Sequence, residues 1–301
     1  MASNLSRFKK SRPRLAHYAL GTYIALMTRL LMTTMTALPL LLASADAEAQ
    51  ALVSTGESFV TPSILIGERA PDGERAAGLL LELAPGWKTY WRSPGEAGVP
   101  PRFDWSASRN LEDVRLAWPR PIVFDSFGMQ TIGYKNSVAL PLKLVPVDPD
   151  QPIWLEMHAE LGVCHEMCVM EQITLALEIL PSSSAQDAPV IAQALESVPG
   201  DGREAGLSGA ECSISGTGRE RAFDGAVFFD RPAPAATVIV EGTDEVWIHS
   251  TEAYPDDSQI RISAGVSLAS DDTWIDRSRL RLTVLSDAFA ADIRGCSAPA
   301  G

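Results

Sequence analysis

Apolar and polar residues alternate with a period of two along much of this chain. Within residues 137–147, Leu140, Leu142 and Leu144 alternate with Ala139, Pro141 and Lys143. Ile153, Leu155, Met157, Ala159 and Leu161 repeat the pattern, and Ile173, Leu175, Leu177 and Ile179 alternate with Thr174, Ala176 and Glu178. Side chains two apart share one face of a strand, so each run predicts a strand with one buried face. Gly and Pro clusters separate the runs at Ala84-Pro85-Gly86, Ser93-Pro94-Gly95 and Trp118-Pro119-Arg120-Pro121. Such punctuation suits a sandwich of short antiparallel strands, and residues 50–181 are read as one all-β domain.

The pattern pauses at Ser182-Ser183-Ser184-Ala185-Gln186-Asp187-Ala188-Pro189, small and polar like a linker. Residues 182–206 are expected to form that linker, with a short helix over 190–198 before Pro199-Gly200-Asp201-Gly202. Strand-like runs resume at 226–229, 236–241, 245–250, 259–263 and 279–285, which predicts a second, smaller all-β domain over 207–297.

Residues 1–47 change the picture by setting the compartment. Arg7, Lys9, Lys10, Arg12 and Arg14 precede an apolar stretch ending Ala37-Leu38-Pro39-Leu40-Leu41-Leu42-Ala43. Ala45-Asp46-Ala47, or the overlapping Ala47-Glu48-Ala49, supplies a small-residue cleavage pattern, so a signal peptide cut near 47–51 is expected. Arg29 interrupts the apolar stretch and argues against a spanning helix, which needs about 20 apolar residues. Nothing later in the sequence is long and apolar enough to span, so the mature chain is expected to be exported and not membrane-spanning. At 46% hydrophobic and 21% charged the composition is that of a folded protein. The net charge of −13 repels phosphate backbones, which argues against nucleic acid as a partner.

An oxidising compartment gives the four cysteines meaning. Cys212 and Cys296 stand near the two ends of the second β region and read as a structural disulfide. Closing so long a loop stabilises by roughly 4 kcal/mol on the chain-entropy model. Cys164 and Cys168, in Gly162-Val163-Cys164-His165-Glu166-Met167-Cys168-Val169, are different. A strand that turns after Gly162 and returns at Val169 places them opposite each other at the tip of a tight hairpin. A disulfide there closes almost no chain and contributes little stability, which points to chemistry over architecture. A protonated His165 favours a neighbouring thiolate and Glu166 opposes it. A local staple holding the hairpin in register is the structural alternative.

Several segments together resemble the amino-terminal periplasmic domain of the DsbD family of thiol:disulfide interchange proteins, in its ScsB-like branch. They are Gly86-Trp87-Lys88-Thr89-Tyr90-Trp91-Arg92-Ser93-Pro94-Gly95-Glu96-Ala97-Gly98, then Trp118-Pro119-Arg120-Pro121, then Ile132-Gly133-Tyr134-Lys135, then the cysteine pair. The resemblance implies an immunoglobulin-like β-sandwich in the periplasm whose cysteines cycle between disulfide and dithiol. It also implies a membrane-embedded electron donor and periplasmic thioredoxin-like or disulfide-bearing clients. Carried over by residue, Cys164 and Cys168 are the redox pair. Asp125-Ser126-Phe127-Gly128 is the segment capping them, with Phe127 as the shield and Phe124 as a second choice. Tyr90 and Trp91 form the aromatic floor. Two departures stand out: better-known members space their cysteines more widely, and this sequence pairs the domain with a second β domain in place of membrane and thioredoxin-like parts. A separate membrane protein or another reductant is therefore expected to supply electrons.

Two further readings remain open. Cys164, Cys168, His165, Met167 and Met170 are the soft and imidazole ligands that favour Cu(I), so copper binding or copper tolerance is the first alternative to a cofactor-free exchange protein. Met157 and His158 precede them, but neighbours on one strand face opposite sides and cannot share a site. The second alternative is a non-catalytic interaction module in which both cysteine pairs are staples.

Overall fold

The computed structural model describes residues 58–126 and 128–299. The expected signal peptide and Phe127, the residue expected to act as a shield, lie outside them. Among the described residues no helix is long and apolar enough to cross a membrane.

Ten strands build the first sandwich: β1 (Val60–Arg69), β2 (Arg75–Leu83), β3 (Lys88–Gly95), β4 (Arg102–Asp104), β5 (Asp113–Leu116), β6 (Ile122–Ser126), β7 (Met129–Lys135), β8 (Ser137–Val145), β9 (Ile153–Cys164) and β10 (Cys168–Ile179). One sheet runs β1-β2-β8-β5 and the other β10-β9-β3-β7-β6, with β4 added on β9. The alternating runs became β8, β9 and β10, and their apolar positions are the buried ones: Leu140, Leu142 and Leu144 face Leu155, Met157, Leu161 and Leu175 across one core. This is an immunoglobulin-like β-sandwich, all-β as the periodicity predicts.

The stretch expected as a linker is bound tightly to this sandwich. Arg75 is buried and donates to four carbonyls, those of Gly67, Leu180, Pro181 and Ser183, which fixes the chain as it leaves β10. Asp187 exchanges two hydrogen bonds with the Ile66 backbone, receiving one at its carboxylate and donating one from its own N–H. The helix that follows, α1 (Ala188–Glu196), begins with Pro189 in its first turn and buries Ile191. Small polar composition suggested slack; one buried arginine and one aspartate remove it.

The second sandwich contains β11 (Gly200–Asp201), β12 (Leu207–Ser215), β13 (Glu220–Phe229), β14 (Ala236–Glu241), β15 (Val246–Asp256), β16 (Gln259–Leu268), β17 (Arg281–Ser286) and β18 (Ala290–Arg294). Its sheets run β11-β18-β17-β14 and β12-β13-β16-β15 around Phe223, Val227, Ile260, Val266 and Leu282. Cys212 on β12 and Cys296, just past β18, form a disulfide with a Cα separation of 5.6 Å. Ile239 of β14 and Leu285 of β17 join the first sandwich's core, so the two sandwiches share a buried seam.

Candidate redox site

Strands β9 and β10 pair in unbroken register from Ile153↔Ile179 to Cys164↔Cys168, so the two cysteines are the last opposed residues before the turn. His165 N–H donates to the Met167 carbonyl at 3.0 Å and closes the tip. The cysteines are joined in a disulfide with their Cα atoms 4.1 Å apart, close to the narrow spacing of a pair that exchanges no ladder hydrogen bonds. Their surroundings differ: Cys164 is 2% exposed, whereas Cys168 is open to solvent.

Tyr90 lies against the pair, closer to the buried cysteine. Its hydroxyl lies 2.8 Å from Cys164 Sγ and 3.6 Å from Cys168 Sγ. A disulfide sulfur carries no hydrogen, so the phenol is the donor. Burial raises the Tyr90 pKa above the ordinary phenol value, which keeps that proton in place. The ring occupies a slot between two glycines: a Cβ on Gly98 would sit 2.7 Å from it, and one on Gly162 would sit 3.0 Å from it. Trp91, paired with Tyr90 in the sequence reading, instead enters the core of the sandwich and is fully buried, because adjacent strand residues point to opposite faces.

His165 packs on the turn before β3. Gly86 has φ +82°, which favours glycine, and a Cβ there would sit 2.6 Å from His165 Nε2, so any side chain at 86 would displace the exposed imidazole. The His165 ring is 6.0 Å from Trp87, which itself stacks on Phe59 at 3.7 Å. Glu166, Met167 and Met170 are exposed. Met157 is fully buried while His158 faces outward, as strand alternation requires.

The segment assigned as a cap lies at the β6–β7 hairpin. Asp125 accepts the Gly128 N–H at 3.1 Å, and the buried Ser126 receives hydrogen bonds from Lys88 Nζ at 3.1 Å and Thr131 Oγ1 at 2.8 Å. Lys88 also lies 4.5 Å above the Phe124 ring, with Lys135 5.3 Å from the same ring. Burial, together with Lys135, draws the Lys88 ammonium below its usual pKa, while Asp125 opposes the shift. Lys88 is also the residue paired with Cys164 across β3 and β9. Sequence reasoning named Phe124 and Asp125 but missed the Lys88–Ser126–Thr131 anchor. Its one signal was Lys88 inside an otherwise aromatic run.

The site is thus an asymmetric disulfide at a hairpin tip, one cysteine buried against a phenol and the other exposed. Residues 57–178, about two-fifths of the chain, match the family described as thiol:disulfide interchange protein DsbD, N-terminal. The match falls on the first sandwich, and at the level of that family it points to thiol:disulfide interchange. The fold is shared with the crystal structure of the N-terminal periplasmic domain of ScsB from Proteus mirabilis, at a TM-score of 0.66 and 22% sequence identity. That likeness covers 82% of this chain and 97% of the other, so it extends into the second sandwich. No curated protein matches the chain.

Proposed function

We propose that this protein is a periplasmic thiol:disulfide exchange protein working through Cys164 and Cys168. The observation that carries the reading is the asymmetry of the pair: Cys168 is exposed, Cys164 is buried, and the Tyr90 hydroxyl is 2.8 Å from Cys164 Sγ. Exchange needs in-line approach to one sulfur and a stabilised leaving thiolate on the other. An incoming donor thiolate attacks Cys168 Sγ, the S–S bond breaks, and its electron pair leaves on Cys164 Sγ, where the Tyr90 O–H receives the new charge. The donor's second thiolate then attacks the donor sulfur of the mixed disulfide and releases Cys168. The donor leaves as a disulfide, and this protein holds two electrons and, once protonated from solvent, a dithiol. Toward a client the steps reverse: the Cys168 thiolate attacks the client disulfide and Cys164 resolves the adduct.

The donor is expected to be a membrane-embedded protein, and the clients thioredoxin-like or disulfide-bearing periplasmic proteins. The segment around Asp125 and Phe127, anchored by Lys88, serves as the shield that limits stray thiols. Trapping tests the assignment. A Cys164→Ser chain keeps the attacking sulfur and loses the resolving one, so it accumulates mixed disulfides through Cys168. Adducts that form only with Cys168→Ser, or with neither variant, contradict it.

One observation supports a second reading. Met167 is 67% exposed and Met170 53%, unusual for thioethers, and both flank Cys168. In the dithiol form these groups could hold Cu(I). Tight, stoichiometric Cu(I) retention by reduced protein, lost in Met167→Leu and Met170→Leu, is what that reading requires.

A further inference from the structure

Arg92 lies two residues beyond Tyr90 on β3, and its guanidinium crosses to the second sandwich. It forms a two-point ion pair with Glu241 of β14, Nε to Oε1 at 2.8 Å and Nη2 to Oε2 at 2.9 Å. Nη2 also reaches Thr283 Oγ1 of β17 at 3.2 Å and Asp292 Oδ2 of β18 at 3.5 Å. The face of the guanidinium rests 3.7 Å from the Trp91 ring. Arg281 approaches Asp292 at 3.9 Å, so two arginines meet two carboxylates in one cluster. Arg92 and Glu241 side chains are only 13% and 15% exposed, which makes the pair far more demanding than a surface salt bridge. A second arginine, Arg120, donates to the Ser286 carbonyl across the same seam.

The ladder explains why β3 needs this grip. β3 pairs with β9 only at Lys88 and Thr89. With β7 it pairs at Lys88, Thr89 and Tyr90, then shifts register before Gly95. Between Tyr90 and Gly95 no ladder pairing fixes the strand on either side. Tyr90, whose hydroxyl must meet a sulfur at 2.8 Å, is the last paired residue before that gap.

We propose that Arg92 is a positioning residue for disulfide exchange: through it the second sandwich holds β3 so that the Tyr90 hydroxyl stays against Cys164 Sγ. This rests on the exchange reading and gives the second sandwich a part in it. A loosened β3 leaves the phenol near the disulfide but no longer aligned with the charge that develops on the departing sulfur, so the loss falls on the rate of S–S cleavage.

The test is the rate at which dithiothreitol reduces Cys164–Cys168, followed by thiol trapping and mass spectrometry. It compares the full chain with Arg92→Gln, Tyr90→Phe and the double variant. Tyr90→Phe removes a hydrogen bond to a nascent thiolate and is expected to slow reduction by about tenfold or more. Arg92→Gln should slow it by about three- to tenfold, and the double variant should be no slower than Tyr90→Phe alone, the mark of residues acting through one another. Glu241→Gln weakens the same grip from the other sandwich and should give the same slowing with the same dependence on Tyr90. It carries the test if Arg92→Gln does not fold. Wild-type rates in a folded variant, or losses that add to that of Tyr90→Phe, overturn the proposal. Because dithiothreitol supplies the electrons, this outcome is independent of whether Cys164→Ser traps a client, which tests the exchange reading alone.

Discussion

Three single residues set the character of the disulfide. Tyr90 gives Cys164 a donor, Gly86 makes room for His165, and Lys88 ties down the segment on the far side. Gly86→Ala puts a Cβ into a positive-φ turn and displaces the exposed imidazole of His165. It should cost on the order of 1–3 kcal/mol in a denaturant melt and shift thiol reactivity at the hairpin. Burial raises the pKa of both Tyr90 and Tyr134, and Tyr134 donates to the Pro119 carbonyl at 2.8 Å. For a raised pKa the folded state holds its proton longer than the unfolded chain. The stability so linked is therefore complete below the ordinary phenol value of about 10 and declines as pH rises past it. Melts across the alkaline range should show that decline, and Tyr134→Phe should flatten it while costing about 1 kcal/mol at neutral pH. A decline unchanged in Tyr134→Phe would assign it to other groups.

At the scale of elements, the exchange reading rests on the hairpin β9–β10 and assigns the shield to the β6–β7 turn. Lys88→Ala removes the hydrogen bond to Ser126 and the cation above Phe124, so a shield seated there should loosen. Reduction of the pair by glutathione should then accelerate several-fold, and an unchanged rate would count against shielding by this segment. Much of this level was legible in the sequence. Alternation along β8, β9 and β10 gave each strand and its buried face, and a three-residue gap between cysteines allowed a tight hairpin that sets them opposite each other. What stayed hidden was long-range. The sequence assigned no role to Arg75, Lys88 or Arg92, because it shows residue type and spacing but not which sheet a side chain will meet. Trp91 was grouped with Tyr90 as an adjacent aromatic, although adjacency on a strand separates faces. The linker appeared slack because its anchors, Arg75 and Asp187, are single residues paired with backbone far away in sequence.

Taken whole, the molecule contains two disulfides with opposite burdens. Cys212–Cys296 spans 84 residues and ties β12 to the end of its own sandwich, whereas Cys164–Cys168 spans four. On the chain-entropy model the long closure contributes on the order of 2–3 kcal/mol more than the short one. Replacing Cys212 and Cys296 with alanine should thus lower unfolding free energy by about 2–5 kcal/mol, and replacing Cys164 and Cys168 with serine by clearly less, as equilibrium denaturation will report. The shared seam at Ile239, Leu285 and Arg92 packs the second sandwich against the first. The central claim, that the hairpin disulfide is exchangeable within a folded protein, is tested most directly by a redox titration in dithiothreitol buffers with each cysteine pair quantified separately. The account predicts that Cys164–Cys168 opens first, at a distinctly less reducing potential, while Cys212–Cys296 and the native fold persist. Simultaneous opening of both pairs, only as the protein unfolds, would contradict it.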